Sequence, residues 1–287
     1  MRLEVVTGMS KDFFQPNLRK KFDLEQYNPR TDLNRPLLVF GCGAPALKKL
    51  IMTHRGFCVI LWTGSDTLKL HTFPPFLEFC KNNTSRVFHM TYSHWCKVDL
   101  DHWGIPYTER LIVPTDITKF NFEKQTDGDI YHYGNKNRIW YYGTTMVEKI
   151  EERWLKDTQK PGFSYATFWS YSPEELYQVY TEALLGVRLT EHDGIAGSVI
   201  EMGLMGRRTI YNGDHPSAIH YSPNPYTKYT PEVAERWVYQ DETIINRVME
   251  LIVDELTNRP QPDKLLAEEM KEYVHDDLKW LDTKYYT

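Results

Sequence analysis

Short apolar runs alternate with polar, helix-compatible stretches along most of this chain. In the first third, RLEVV from Arg2, PLLVFG from Pro36 and FCVILWTGSD from Phe57 each read as a buried strand, being aliphatic runs too short for an ordinary helix. A helical stretch from Ala44 to His54 separates the second from the third. RVFHMTYS from Arg86 makes a fourth strand and leads into a helix carrying Asp99 and Asp101, and RLIVPTD from Arg110 makes a fifth. Strands alternating with helices predict parallel βαβ units and a doubly wound sheet.

After Thr118 the chain turns polar (KFNFEKQTDGD), which reads as a linker between domains. A second alternation follows: DIYHYG, a basic turn at Lys136 and Arg138, IWYYG, a helix from Thr145 to Leu155, and the strand FSYATFW. SPEELYQVYTEALLG is marked as a helix by Ser172 as N-cap, Pro173 at the first position and Gly186 beyond the end. A helix around Glu242 to Leu256, a break at Arg259 to Pro262 and a final helix from about Lys264 complete the pattern.

The segment from Arg188 to Gly213 carries the chemistry. It reads as a strand, an acidic turn, a loop with Gly194 and Gly197, a helix opening near Ser198 and stopping at Gly206, and a strand from Arg208 to Tyr211. Unpaired N–H groups and the positive end of the helix dipole suit the helix start to an anion such as a diphosphate. Asp193 and Glu201 flank that start, and carboxylates do not bind phosphate. They are suited to accept hydrogen bonds from hydroxyls. Diphosphate beside hydroxyls describes a nucleotide sugar. Acids near helix starts are also common as simple dipole partners in α/β domains.

At these residues the chain resembles the donor-binding segment of retaining GT-B glycosyltransferases, the type of glycosyltransferase family 4, which includes sucrose and glycogen synthases and many α-mannosyltransferases. That segment has an acid, seven intervening residues, then Glu, a small-residue helix and a strand. Asp193 stands at the first acid, usually Glu; Glu201 stands at the second; Ala196 stands where Gly is usual, with Gly197 beside it. YSHWCKVDLDHWGIPYTERLIVPTDI from Tyr92 resembles the same family through Ser93, Gly104-Ile105-Pro106 and Leu111 to Pro114. The resemblance implies two Rossmann-like domains facing a central cleft: residues 1–120 on the acceptor side, completed by a terminal helix 264–287, and 121–263 binding the donor. It implies transfer with retention and without metal, Asp193 contacting the transferred sugar and Glu201 the ribose hydroxyls.

Other candidates follow from position. Gly41 and Gly43, in the GCG turn after a strand, allow close backbone approach to a donor. Asp66 and His94, at strand ends, are candidates to orient the acceptor. Lys136, Arg138 and Lys149 offer positive charge to the departing diphosphate.

Composition narrows the alternatives. The 287 residues allow one large or two modest domains, and 41% hydrophobic residues indicate sizeable cores. A net charge of −5 gives no general attraction to nucleic acid. A hydroxymethylated DNA base is therefore a disfavoured acceptor beside glycans, small glycosides and lipid-linked sugars. Cys42, Cys58, Cys80 and Cys96 form no C-x-x-C pair, and with no apolar leader or membrane-length run this reads as a cytoplasmic protein of glycan biosynthesis. No metal or other cofactor is expected beyond the nucleotide sugar as co-substrate. The triplets Asp99/Asp101 and Asp127/Asp129 fall on a helix, where i and i+2 diverge, and in the linker, while Walker A, H-E-x-x-H and G-x-S-x-G patterns are absent. A non-catalytic nucleotide- or sugar-binding module on the same fold is the competing class.

Overall fold

A computed structural model of the chain describes residues 4–7, 11–114, 116–124, 127–134, 142–158, 161–167, 171–190, 192–222 and 242–274. Two compact units emerge, Met1–Asp116 with His192–Ile195, and Ile117–Glu191 with Ala196–Val274. Each holds one all-parallel sheet, so the α/β class expected from the alternation is what forms.

The first unit contains strands β1 (Glu4–Thr7), β2 (Glu25–Gln26), β3 (Leu37–Phe40), β4 (Cys58–Leu61), β5 (Val87–Thr91) and β6 (Thr108–Glu109), in the order β2-β1-β3-β4-β5-β6. Its helices are α1 (Lys11–Phe22), α2 (Pro45–Thr53), the one-turn α3 (Ser65–Leu68), α4 (Pro74–Asn82) and α5 (His94–Trp103). Every residue of β3 and β4 is buried, as a parallel sheet covered on both faces requires. Alternate side chains build two cores. Leu37, Val39, Cys58 and Ile60 pack with Ile51, Phe76 and Leu100 of the covering helices. Leu38, Phe40, Val59 and Leu61 pack with Leu18 of α1, and Ile195 lies against this second core.

The second unit contains β7 (Asp129–His132), β8 (Phe163–Tyr165), β9 (Ala183–Val187), β10 (Thr209–Ile210) and β11 (Ala218–Ile219), in the order β11-β10-β9-β7-β8. Its helices are α6 (Thr144–Asp157), α7 (Pro173–Glu182), α8 (Gly197–Leu204), α9 (Glu242–Asn258) and α10 (Lys264–Tyr273). Val147 and Ile150 of α6 and Val248 and Ile252 of α9 cover Ile130, Leu185, Val187 and Ile210. The apolar α8 is buried from Ser198 to Leu204, packed on β10 and under α10. In both sheets the chain lays its second strand on one side of the first and its third on the other. The β1/β3 and β7/β9 junctions are therefore switch points, outside whose carboxyl ends α/β proteins bind ligands.

Several boundaries differ from the sequence expectation. The capping box at Ser172 and Glu175 forms, but the helix stops at Glu182 and β9 begins at once with Ala183. Gly186 lies inside β9, where a Cβ would meet Thr209 Oγ1 at 2.5 Å, so it marks close strand packing and not a helix end. What ends α7 without glycine or proline is Arg207, buried in the core. It donates from Nε to the Ala183 carbonyl at 2.6 Å, from Nη2 to Thr181 at 2.7 Å and from Nη1 to Met205 at 3.0 Å. The cation satisfies carbonyls that a helix end leaves orphaned, and although burial lowers its pKa to about 10 it stays charged at neutral pH. Arg207→Met should therefore cost about 3 kcal/mol of stability, three carbonyl acceptors, two of them in buried bonds, losing their donor at once. Urea denaturation measures this, and an unchanged midpoint would mean water replaces the guanidinium at no cost.

Leu111, Ile112 and Val113 are buried, but they extend beyond the two-residue edge strand β6 instead of forming a fifth full strand. Pro114 has no N–H for a ladder, and an apolar run reports burial, not pairing. The strand read at Arg188 ends one residue earlier, at Val187. Of IWYYG, residues 139–141 lie outside the described residues, and Tyr142 and Gly143 form the turn into α6. The terminal helix, grouped with the first domain in the sequence reading, packs as α10 on α8 within the second unit, and residues 275–287 lie outside the described residues.

Candidate functional site

At the carboxyl ends of β7 and β9, His132 joins both strands to the start of α6. Its Nδ1 lies 2.8 Å from the Val187 carbonyl, which can only accept, so Nδ1 carries the hydrogen. Nε2 then accepts from Thr144 Oγ1 at 3.0 Å. Burial, aided by the charge of Arg188, lowers the His132 pKa to about 4, so the ring is neutral.

Arg188 follows β9 directly and is 5% exposed. Its guanidinium sits 4.2 Å from the Tyr133 ring centre and 4.7 Å from that of Tyr142, and Nη1 donates to Ser198 Oγ at 3.3 Å. A desolvated cation between two aromatic faces is held in place and retains its charge. The structure thus puts a cation beside the first turn of α8 that sequence reasoning missed. A single arginine after a strand has no spacing signal; the cage formed by Tyr133 and Tyr142 exists only after β7 and α6 are placed. Glu201 lies one turn into α8 and is 7% exposed. At Gly197, in the first turn, an added Cβ would have Glu201 Oε1 as its nearest neighbour, at an ordinary contact distance of 3.9 Å.

In the first unit, the segment His192–Ile195 lies against the ends of β4 and β5. His192 Nε2 lies 3.0 Å from Asp99 Oδ2, which also accepts from Thr67 Oγ1 at 2.6 Å. Ser93 Oγ donates to the main-chain carbonyl of Asp193, whose Oδ1 accepts from the Gly194 N–H at 2.9 Å. Gly194 rests directly on the Thr63–Gly64 backbone. Asp193 itself is 6% exposed.

The remaining sequence candidates fall in different places. Asp66 is buried and accepts N–H bonds from Cys42 at 2.9 Å, Gly64 at 2.8 Å, Thr63 at 3.2 Å and Thr67 at 3.2 Å. Burial raises its pKa and those bonds oppose the rise. Its carboxylate thereby fastens the loop after β3 to the loop after β4, a structural task. Gly41 adopts φ 71° in the first of these loops, and a Cβ added at exposed Gly43 would meet nothing within 4 Å. His94 is the half-buried first residue of α5, and Lys149 is half-buried on the second turn of α6. Lys136 and Arg138 lie outside the described residues. Asp99 points inward while Asp101 is exposed and accepts from Tyr107 at 3.3 Å, so the triplet diverges as helix geometry requires. Among the described residues no three His, Cys, Asp or Glu side chains could share a metal ion, and no helix is long and apolar enough to cross a membrane.

His89 behaves as His132 does, burial lowering its pKa to about 4. Both are neutral when folded and bind a proton near pH 6.5 when unfolded. Between those values the unfolded chain holds more protons, so stability is full above about pH 6.5 and falls as the pH drops toward 4. The loss approaches roughly 3 kcal/mol for each ring, read as a falling urea midpoint between pH 7 and 4.5. A flat profile would show that both rings protonate in place.

No family model matches the chain, and no curated protein does. Many solved structures are similar, among them the following three. The pneumococcal O-GlcNAc transferase GtfA in complex with UDP and GlcNAc has 11% identity and a TM-score of 0.46 over 88% of this chain and 57% of that one. A mutant of S. aureus TarM in complex with fondaparinux, alpha-GlcNAc-glycerol and UDP has 10% identity and a TM-score of 0.42 over 84% and 56%. The trehalose 6-phosphate synthase of Burkholderia multivorans has 9% identity and a TM-score of 0.47 over 96% and 80%. The chain spans little more than half the length of the first two. At these scores no residue correspondence follows.

Proposed function

We propose that the chain is a glycosyltransferase that moves a sugar from a nucleoside diphosphate to an acceptor hydroxyl, with the second unit taking the donor. One observation carries this reading. The helix of the acid–seven–Glu motif starts at the switch point of a doubly wound parallel sheet, beside a buried, aromatic-caged arginine. There the first-turn N–H groups of α8 and the charge of Arg188 face the diphosphate, and Glu201 accepts from the ribose hydroxyls. Asp193 accepts from a hydroxyl of the sugar.

In the reaction the bond between the anomeric carbon and the diphosphate oxygen breaks, and the bond from the acceptor oxygen to that carbon forms. The acceptor proton leaves to the diphosphate, giving a glycoside and a nucleoside diphosphate. The carbon gains oxocarbenium character on the way, and Arg188 offsets the charge growing on the leaving group. Retention and independence of metal belong to the same reading.

A panel of UDP-, GDP- and ADP-linked hexoses, assayed for nucleotide release with and without glycan acceptors, tests it. Release coupled to a glycoside product supports a transferase. Tight nucleotide binding with neither transfer nor hydrolysis favours the binding module instead, and turnover only with hydroxymethylated duplex favours the DNA acceptor.

A further inference from the structure

We propose that Asp99 and His192 form a positioning pair that sets the Asp193 carboxylate against the transferred sugar, an inference that rests on the glycosyltransferase reading. Asp99 is fully buried, a costly place for a carboxylate unless donors surround it. Oδ2 gathers two. The single hydroxyl proton of Thr67 has two acceptors in reach, the Gly64 carbonyl at 2.9 Å and Asp99 at 2.6 Å, and the shorter, charge-assisted bond takes it. His192 supplies the second from Nε2, 93 positions further along the chain.

His192 directly precedes Asp193, and the next residues are fastened just as closely. The Asp193 carbonyl accepts from Ser93 Oγ, Gly194 lies on the Thr63–Gly64 backbone, and Ile195 packs against the second core of the first unit. Ser93 is the N-cap residue of α5 yet makes no side-chain cap bond, its hydroxyl going to this loop instead. Four consecutive residues thus carry four separate anchors. Aspartate has one methylene, so its carboxylate goes where the main chain puts it. Anchoring the main chain is therefore how this fold sets the carboxylate, and a displacement of about 1 Å at a reacting centre can cost about 100-fold in rate.

The test compares His192→Leu, His192→Gln and Asp99→Asn, using nucleotide release from the best-turned-over UDP-, GDP- or ADP-hexose. The glutamine amide can donate to Asp99 from nearly the position of Nε2; leucine cannot. His192→Leu should lower kcat by about 50-fold while the dissociation constant of the free nucleotide changes less than about twofold, because the lost interaction belongs to the transition state. His192→Gln should return to within about fivefold of the parent, and Asp99→Asn should fall between. Hydrogen exchange at the Gly194 amide should quicken in the leucine variant and not in the glutamine one. An unchanged kcat in a folded His192→Leu protein with a lower Tm would reduce the pair to a structural role. Equal losses for Leu and Gln would also overturn it, and if the leucine variant does not fold, the Gln and Asn variants decide on the same two readouts. A parent protein inactive with every donor removes the transferase reading first, an outcome visible before any variant is made.

Discussion

Glu201→Ala should raise the donor KM about 100-fold, or remove saturation altogether, while leaving the sheets intact. Two hydrogen bonds from a carboxylate to a ribose diol, at about 1.5 kcal/mol each, give about 3 kcal/mol, which is that factor in affinity. The side chain is 7% exposed on a helix buried from Ser198 to Leu204, so its surroundings are low in water and the bonds are not screened. Tyr131 and Tyr180 share that environment. Burial is the main cause raising both phenol pKa values, and the Glu201 charge adds to the rise. Glu201→Gln keeps the shape and half of the acceptor capacity, so it should lose about tenfold instead. Titration calorimetry with UDP, GDP and ADP beside the kinetics separates nucleoside binding from sugar contacts. A well-folded alanine variant with parental KM would take Glu201 out of the site.

Much of this arrangement was readable in the residues. The aliphatic runs at Leu37–Phe40 and Cys58–Leu61 announced central parallel strands, since only a strand covered on both faces is apolar at every position. The start of α8 was equally plain, because Gly194 and Gly197 precede an apolar stretch with no competing signal. The end of α7 was not. It is fixed by Arg207, a residue 24 positions beyond its Ala183 partner, and local sequence holds no trace of such a contact. The main-chain bonds of Asp66 were hidden for a related reason. A carboxylate at a strand end looks the same in sequence whether it faces a ligand or gathers four main-chain N–H groups. Arg188 and the Asp99–His192 pair stayed hidden because each depends on elements brought together from distant parts of the chain.

Gly194→Ala should have the second large effect, and comparison with Gly197→Ala shows why. A Cβ at Gly194 would stand 1.5 Å from the Thr63 carbonyl oxygen and 2.5 Å from the Gly64 nitrogen, both main-chain atoms at the end of β4 that have no rotamer to escape into. The loop must therefore move, breaking the Ser93 bond to Asp193 and the His192 bond to Asp99 together. We expect kcat to fall about 1,000-fold and stability to fall by about 2 kcal/mol. At Gly197 the same added methyl meets Glu201 Oε1 at an unstrained 3.9 Å and sits in the first turn of a helix, so stability should rise by about 0.5 kcal/mol as the unfolded chain loses freedom. Donor affinity should still drop, because the methyl is added to the first turn, in contact with Glu201, where the donor is proposed to bind. Thermal melts with kcat and donor KM measured on both variants therefore give opposite signs for stability and a functional loss in each, in kcat for Gly194→Ala and in donor KM for Gly197→Ala. If Gly197→Ala instead bound donor as the parent does, the diphosphate would not approach α8 at its first turn.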